Sequence, residues 1–367
     1  SVYAEEIKHD RETKTLKYKN AWLKLYDFPV VYFPKFSHPD PTVERKSGFL
    51  TPKFSRSRNI GSSVDIPYFY IISDNKDLTF KPKIFFNDEF VLQNEYRQVN
   101  KSNNHIADFS LNRTNFSSSK NSTKLHFFSK SNFEIKNNFF DSSKLNLNIQ
   151  KVNNDQYLKL YKIENKNLIQ DKNLLHSFVN FEGEKNNSKF KTSIQVYEDL
   201  NKDKSSRYEY IYPKYEFQKN FNDLRSNKFY FKTYGEQRQY ETNIYEGILI
   251  NDIVYESEPN YSEKGFVSNI NTLIKNVNVD ANNSEKYKDK FDQSLSTVLQ
   301  YNTELPLSKS TSNFIYKLNP KASLMFSPNK TKNLANDNIR VDANKIFSLN
   351  RIVSNESVEG GSSLTYG

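Results

Sequence analysis

Leu145, Leu147 and Ile149 alternate with Asn146, Asn148 and Gln150, and Phe190, Thr192, Ile194 and Val196 alternate with Lys191, Ser193 and Gln195. Successive strand side chains point to opposite faces, so each run carries one apolar face and one wet face. Phe229 and Phe231, then Leu295, Thr297 and Leu299, and later Ala322, Leu324 and Phe326 continue the scheme. Tyr208, Tyr210 and Tyr212 keep the same period until it slips at Pro213, and Tyr215 and Phe217 resume it, as a bulge would require. Breaks rich in Asn, Ser, Lys and Asp separate the runs at 73–77, 100–104, 185–187 and 201–206. Only 155–163, with Tyr157, Leu158 and Tyr161, and the weaker 284–292 have helical spacing. The pattern predicts an all-β, antiparallel chain with short helical turns at most.

Upstream, residues 1–8, 15–18, 21–26 and 30–33 are short β-rich segments separated by turn signals such as His9-Asp10-Arg11 and Asp27-Phe28-Pro29. They predict the last strands of a small sheet domain. The four prolines from Pro29 to Pro41 predict a stiff crossing after it, because proline fixes its own φ and biases its predecessor toward extended backbone. The expected domains are therefore 1–46 and 47–367. The second accommodates about 13 to 16 strands of about 9 to 11 residues, a series that suits a large antiparallel barrel better than a soluble sandwich. At its start Pro52 and Pro67 fall in neighbouring strand-like runs. Proline donates no ladder hydrogen bond and is confined to strand starts, bulges and edges, so the two mark a weakly paired seam.

Composition sharpens this picture. Hydrophobic residues make up 36% of the 367 positions, yet aromatics reach 15%, with 29 Phe and 24 Tyr, and mean hydropathy is -0.82. Disordered chains are depleted in aromatics; a wet-lumened outer-membrane barrel and a soluble multi-sheet protein both fit these values. No run of about 20 apolar residues encodes a membrane-spanning helix, so any spanning uses strands. The opening at Ser1, with no initiator Met, basic stretch or apolar signal core, is the expectation for a stretch of a longer product. With no cysteine, disulfide and thiol chemistry are excluded within this segment. The net charge of +10 is dispersed among Asn and Ser, which reads first as a solvated surface and second as attraction to phosphate-bearing lipid.

No catalytic, cofactor or metal set emerges. His9, His38, His105, His126 and His176 lie in no Gly-x-Ser-x-Gly or His-Glu-x-x-His context and read as surface or turn residues. No spacing singles out a carboxylate pair, and Asn-x-Ser/Thr matches such as Asn115-Phe-Ser117 are expected by chance in so Asn-rich a chain. A nucleic-acid binder would concentrate its basic residues on a stacking platform; here aromatics alternate with Asn, Ser and Glu as often as with Lys, so no nucleic-acid partner is expected. A general porin or receptor barrel stays open on pattern alone, and an outer-membrane enzyme has less support.

Asn20-Ala-Trp-Leu23, Pro29-Val-Val-Tyr-Phe-Pro34, Arg45-Lys-Ser-Gly-Phe-Leu-Thr-Pro52, Gly61 with Ile66-Pro-Tyr-Phe69, Leu78-Thr-Phe-Lys-Pro82 and Glu95-Tyr-Arg97 resemble the LptD family, the organic solvent tolerance protein A family of lipopolysaccharide assembly. Glu304-Leu-Pro-Leu307, Pro320-Lys-Ala322, Ser327-Pro328, 346–352, Glu359-Gly-Gly361 and Leu364-Thr-Tyr-Gly367 are similar to its mid-barrel motifs, in the same order. The resemblance implies that 1–46 ends a periplasmic β-jellyroll and that 47–367 is the N-terminal part of an outer-membrane β-barrel, incomplete in this chain. It implies lipopolysaccharide as cargo, outer-membrane lipid as its destination, a plug lipoprotein LptE and a periplasmic bridge protein LptA as partners, and transport without a reaction or cofactor. It assigns Pro52 and Pro67 to a lateral gate between first and last strands, with Ser47 and Gly48 at the domain junction. The family's disulfide cysteines have no counterpart here.

Overall fold

The computed structural model describes residues 2–25, 28–40, 42–43, 45–57, 59–86, 89–113, 123–221, 227–335 and 339–367. The chain forms two compact units, 1–131 with 150–172 and 132–149 with 173–367. Asp27, Pro41 and the Asn115-Phe-Ser117 match lie outside the described residues.

The first unit opens with a separate antiparallel sheet of β1 (Val2–Asp10), β2 (Thr15–Leu25) and β3 (Phe28–Pro39), in that order. The segments at 15–18 and 21–26 are one strand, kinked at Asn20, whose φ is 49°. The expected proline crossing is instead strand: Pro29, Pro34 and Pro39 all lie within β3. Among the described residues it pairs with β2 alone, and an edge strand tolerates missing donors. Asp10 closes the β1–β2 turn, accepting from Thr13 N–H at 3.0 Å and Lys17 Nζ at 2.9 Å. These two contacts, the Thr13 backbone first, hold the Asp10 carboxyl well below its usual range.

Next come β4 (Gly48–Phe49), β5 (Lys53–Ser57), β6 (Gly61–Asp65), β7 (Tyr68–Ser73), β8 (Lys76–Phe85), β9 (Phe90–Val99), β10 (Asn103–Arg113) and β11 (Lys124–Glu134). Then β12 (Ser142–Val152), of which 142–149 belong to the second unit, and that unit's β13 (Leu174–Lys185), β14 (Ser188–Asp199), β15 (Tyr208–Phe221), β16 (Lys228–Tyr240) and β17 (Ile244–Glu256) pair antiparallel in chain order. The short β18 (Asn260–Tyr261) folds back on β19 (Val267–Asn282), which pairs with β17 and with β20 (Asp292–Glu304). After a separate hairpin of β21 (Leu307–Ser310) and β22 (Ile315–Leu318), β23 (Lys321–Ser327) pairs with β20 and β24 (Gly361–Tyr366). The phase slip at Pro213 is a bulge: register shifts between Ile211 and Lys214. The 155–163 window contains α1 (Tyr157–Leu160). The 284–292 window is not helical, because Ser284 Oγ accepts from Lys286 and Tyr287 N–H, both at 3.1 Å, and turns the chain.

The second unit's sheet has a bare face and a covered face. On the bare face Leu147, Val179 and Ile194 stand in register, as do Phe231, Ile253 and Ile274, and Ile270, Tyr301, Leu324 and Leu364. These are not core residues; Ile194 is 54% exposed, Leu324 54% and Leu364 67%. On the other face the described residues of 328–335 and 339–360 fold back. Leu334 and Ala335 pack with Ile250, Val277, Val279 and Tyr287, and Val358 packs with Val254, Leu273, Val298 and Met325. Each large buried aliphatic there contributes about 1.5–3 kcal/mol.

Candidate functional site

Both flagged prolines interrupt the strands they were read into. Pro52 lies between β4 and β5, and Pro67 lies between β6 and β7. The seam between them is thin. Among the described residues β4 pairs with β7 through Gly48 with Phe69 and Phe49 with Tyr68, supplemented by Leu50 N–H donating to Pro67 O at 2.8 Å. Ser47 reinforces it, its Oγ accepting from Ile71 N–H at 2.9 Å. A third proline, Pro82, sits inside β8 opposite Leu92 and accepts from Ile66 N–H at 3.1 Å. Three prolines thus converge where β6, β7 and β8 exchange partners.

Sequence reasoning missed the clamp beside this seam. Asp77 of β8, with a side chain only 10% exposed, receives Arg45 Nη2 at 2.6 Å on one oxygen and Arg97 Nε at 2.7 Å on the other. Both guanidiniums also lie 5.9 Å from the Phe69 ring centroid. Arg45 donates further to Asp74 O, while its neighbour Lys46 donates to Thr13 O at 2.8 Å. The link from the small sheet is therefore tied at both ends, to the β1–β2 turn and to β8. Asp40 shapes its start, accepting from Thr42 N–H at 2.9 Å with His9 Nε2 at 2.7 Å. The Thr42 amide, ahead of its hydroxyl and of His9, holds the Asp40 carboxyl below its usual range. No local signal announces a partnership between residues 32 positions apart.

Downstream, the covered face of β8–β11 is a polar ladder. Lys81 meets Glu95 at 2.7 Å, Lys83 meets Asp65 at 3.5 Å, and His126 Nε2 meets Asp108 at 3.0 Å. Residues 153–170, including α1, lie over it as a strap. Asn165 Nδ2 donates to Asp108 at 2.6 Å and to Glu95 at 3.0 Å, and Lys83 Nζ donates to Tyr161 O at 3.0 Å. Ser110 Oγ lies 2.6 Å from both His126 Nδ1 and Tyr157 Oη. His126, read from sequence as a surface or turn residue, is thus buried at 1% exposure, because strand alternation turns it under the strap. Of the other histidines, His105 bonds Ser131 at 2.6 Å and His176 stacks on Tyr197 at 4.1 Å; the side chain of His38 is outside the described residues.

Serine, histidine and carboxylate here stand in hydrogen-bonding sequence, but the Tyr157 hydroxyl occupies the approach to Ser110, which is 2% exposed. A nucleophile needs space for a substrate carbonyl. The arrangement is a satisfied buried network that fastens the strap. Among the described residues no group of three His, Asp or Glu side chains has metal-holding geometry.

No protein-family model matches the chain. Among curated proteins it is similar to the LPS-assembly protein LptD of Pseudoalteromonas translucida, 29% identical over 158 residues, 43% of this chain and 20% of that protein. The LPS-assembly protein LptD of Cupriavidus pinatubonensis is 40% identical over 77 residues, 21% of this chain and 9% of that protein. That of Shewanella oneidensis is 38% identical over 96 residues, 26% and 12% respectively. The matched part spans about a fifth of these relatives' length, or less. A solved bacterial polysaccharide outer membrane secretin is 10% identical at a TM-score of 0.28, over 75% of this chain and 86% of that one; so slight a likeness bears on neither fold nor function.

Proposed function

With the chain a member of the LPS-assembly protein LptD family by its matched segment, we propose that it forms part of an outer-membrane device that moves lipopolysaccharide into the outer leaflet without chemical change. One observation carries the reading. The bare face presents apolar side chains in three register sets, over β12–β14, β16–β19 and β19–β24, with Val179 at 46%, Ile194 at 54%, Leu299 at 44% and Leu364 at 67% exposure. So extensive an apolar surface has hydrocarbon as its solvent. On this reading residues 47–367 belong to the spanning wall, and 1–46, with β1–β3, end the periplasmic jellyroll that receives lipid from LptA. LptE fills the remaining lumen. A general porin or receptor barrel uses the same apolar face, but has no use for the proline-interrupted seam.

In this mechanism the acyl chains leave sideways while the sugars stay in water. That exit requires a wall that parts at low cost. The β4–β7 contact has two residue pairs, and each backbone hydrogen bond contributes about 0.5–1.5 kcal/mol net. Pro52 and Pro67 keep two donors out of this region. Ser47 and Gly48 stand at the domain junction, Ser47 held by Ile71 N–H and Gly48 paired with Phe69. The test replaces both prolines with Val in the full-length protein. Added pairing is expected to slow lipopolysaccharide delivery, read by surface labelling of newly made lipid; undiminished delivery and growth would sink the gate.

A further inference from the structure

One rim of the second unit carries a hairpin that leaves the plane of the sheet. Between β11 and β12, Asn137 Oδ1 accepts the N–H groups of Phe139 and Phe140 at 2.9 and 2.7 Å, a side-chain-closed turn that presents two successive rings. Asp141 fastens it to the β13–β14 turn: its N–H donates to Glu184 O at 2.9 Å, and its carboxylate accepts Asn186 N–H at 2.6 Å. Phe140 then lies over Gly183, where any Cβ would stand 2.6 Å from the ring. Only glycine lets the ring down onto the sheet. Phe139 stays 65% exposed, with Lys185 Nζ 4.7 Å from its ring centroid.

Phe140, Phe190 and Phe217 wall a cleft of about 590 Å³ that Lys185 and Lys219 also line, a size typical of ligand sites. Gly183, Phe190 and Phe217 are register partners, so the cleft opens on the bare apolar face. Charge is segregated across the sheet. On the opposite face Glu184 meets Lys189 at 3.1 Å and Glu182 meets Lys191 at 4.0 Å. Among the described residues neither Lys185 nor Lys219 has a carboxylate within 4.0 Å. Two ammonium groups beside aromatic rings at a membrane boundary favour an anion carrying its own hydrocarbon.

We infer that this cleft seats one anionic glycerophospholipid, its phosphate between Lys185 and Lys219 and its acyl chains against Phe140, Phe190 and Phe217. The inference rests on the membrane-spanning reading above. A zwitterionic lipid brings its own ammonium and competes poorly. The full chain is reconstituted in nanodiscs of mixed phosphatidylglycerol and phosphatidylcholine, and the lipid retained on release is counted by native mass spectrometry. One phosphatidylglycerol is expected to stay preferentially. Each lysine is expected to supply about fivefold preference, so K185Q/K219Q loses about 25-fold. G183A, which displaces Phe140 and keeps both charges, is expected to lose retention as well. Excess inorganic phosphate is expected to leave retention unchanged; displacement by it overturns the lipid as occupant. Equal retention by parent and K185Q/K219Q, or no lipid preference in a parent that enters the discs, overturns the seat alone. A parent that enters no disc overturns the spanning reading and the seat with it.

Discussion

Replacing Asp77 with Asn tests how the junction is held. The substitution keeps shape and one acceptor, but removes the charge that Arg45 and Arg97 share at 2.6 and 2.7 Å. A hydrogen bond to a charged group contributes about 1.5–3 kcal/mol and a neutral one about 0.5–1.5, so the arginine left facing the amide oxygen loses about 1 kcal/mol, while the other faces an NH2 donor and loses its bond. The guanidinium side chains are 37% and 43% exposed, and water recovers part of the loss. The remainder, about 1–2 kcal/mol, multiplies the open population of the link about 5–30-fold. Trypsin reads this directly, since Arg45 and Lys46 are its targets. Cleavage of the full chain after either residue is expected to accelerate by that factor, with cleavage at Lys202, in a turn of the second unit, unchanged. Adding R45Q to D77N is expected to act less than additively at Lys46, because both remove the Arg45–Asp77 contact and R45Q adds only the loss of the bond to Asp74 O. A D77N rate within twofold of the parent would refute the clamp.

The small sheet's acid sensitivity follows from Asp10 and Asp40, both depressed. A depressed carboxyl stabilises above its unfolded pKa and loses that contribution as pH falls through the folded one, so amide protection of Thr13 and Thr42 should hold from pH 7 down to about 4 and decline only below that, Thr42 ahead of Thr13; protection lost near pH 6 would contradict this. Asn165→Asp sets a third carboxyl against Asp108 and Glu95, 2.6 and 3.0 Å away, and leaves buried groups unsatisfied at about 1–3 kcal/mol. Hydrogen exchange across 157–168 should quicken by at least tenfold at pH 7, and unchanged exchange would mean that the strap is held by its apolar contacts.

Strands were legible wherever one face met a uniform environment. Ile194, Leu299 and Leu324 stand on such a face, and their period of two needs no knowledge of distant residues. Pro29, Pro34 and Pro39 misled because a proline run looks alike in a linker and in an edge strand; only pairing with β2 alone distinguishes them. The 284–292 window kept helical spacing, but Ser284 bonded the backbone first and Tyr287 was drawn under Leu334 and Ala335. The prolines of the seam were visible individually, whereas the Asp77 clamp and the His126 network join residues from separate strands and leave no local trace. Gly183 was equally silent, since its meaning lies in the ring above it.

The strap also sets an order of events. Lys83 waits for a carbonyl 78 residues later in the chain, and Asp108 waits for Asn165. Until that segment arrives, β8–β11 must keep water over their charged rungs, so this wall is erected wet and dries last. A polypeptide caught before that step would carry correct strand pairing together with a hydrated lining, a kinetic stage at which sheet content is complete and the interior is not.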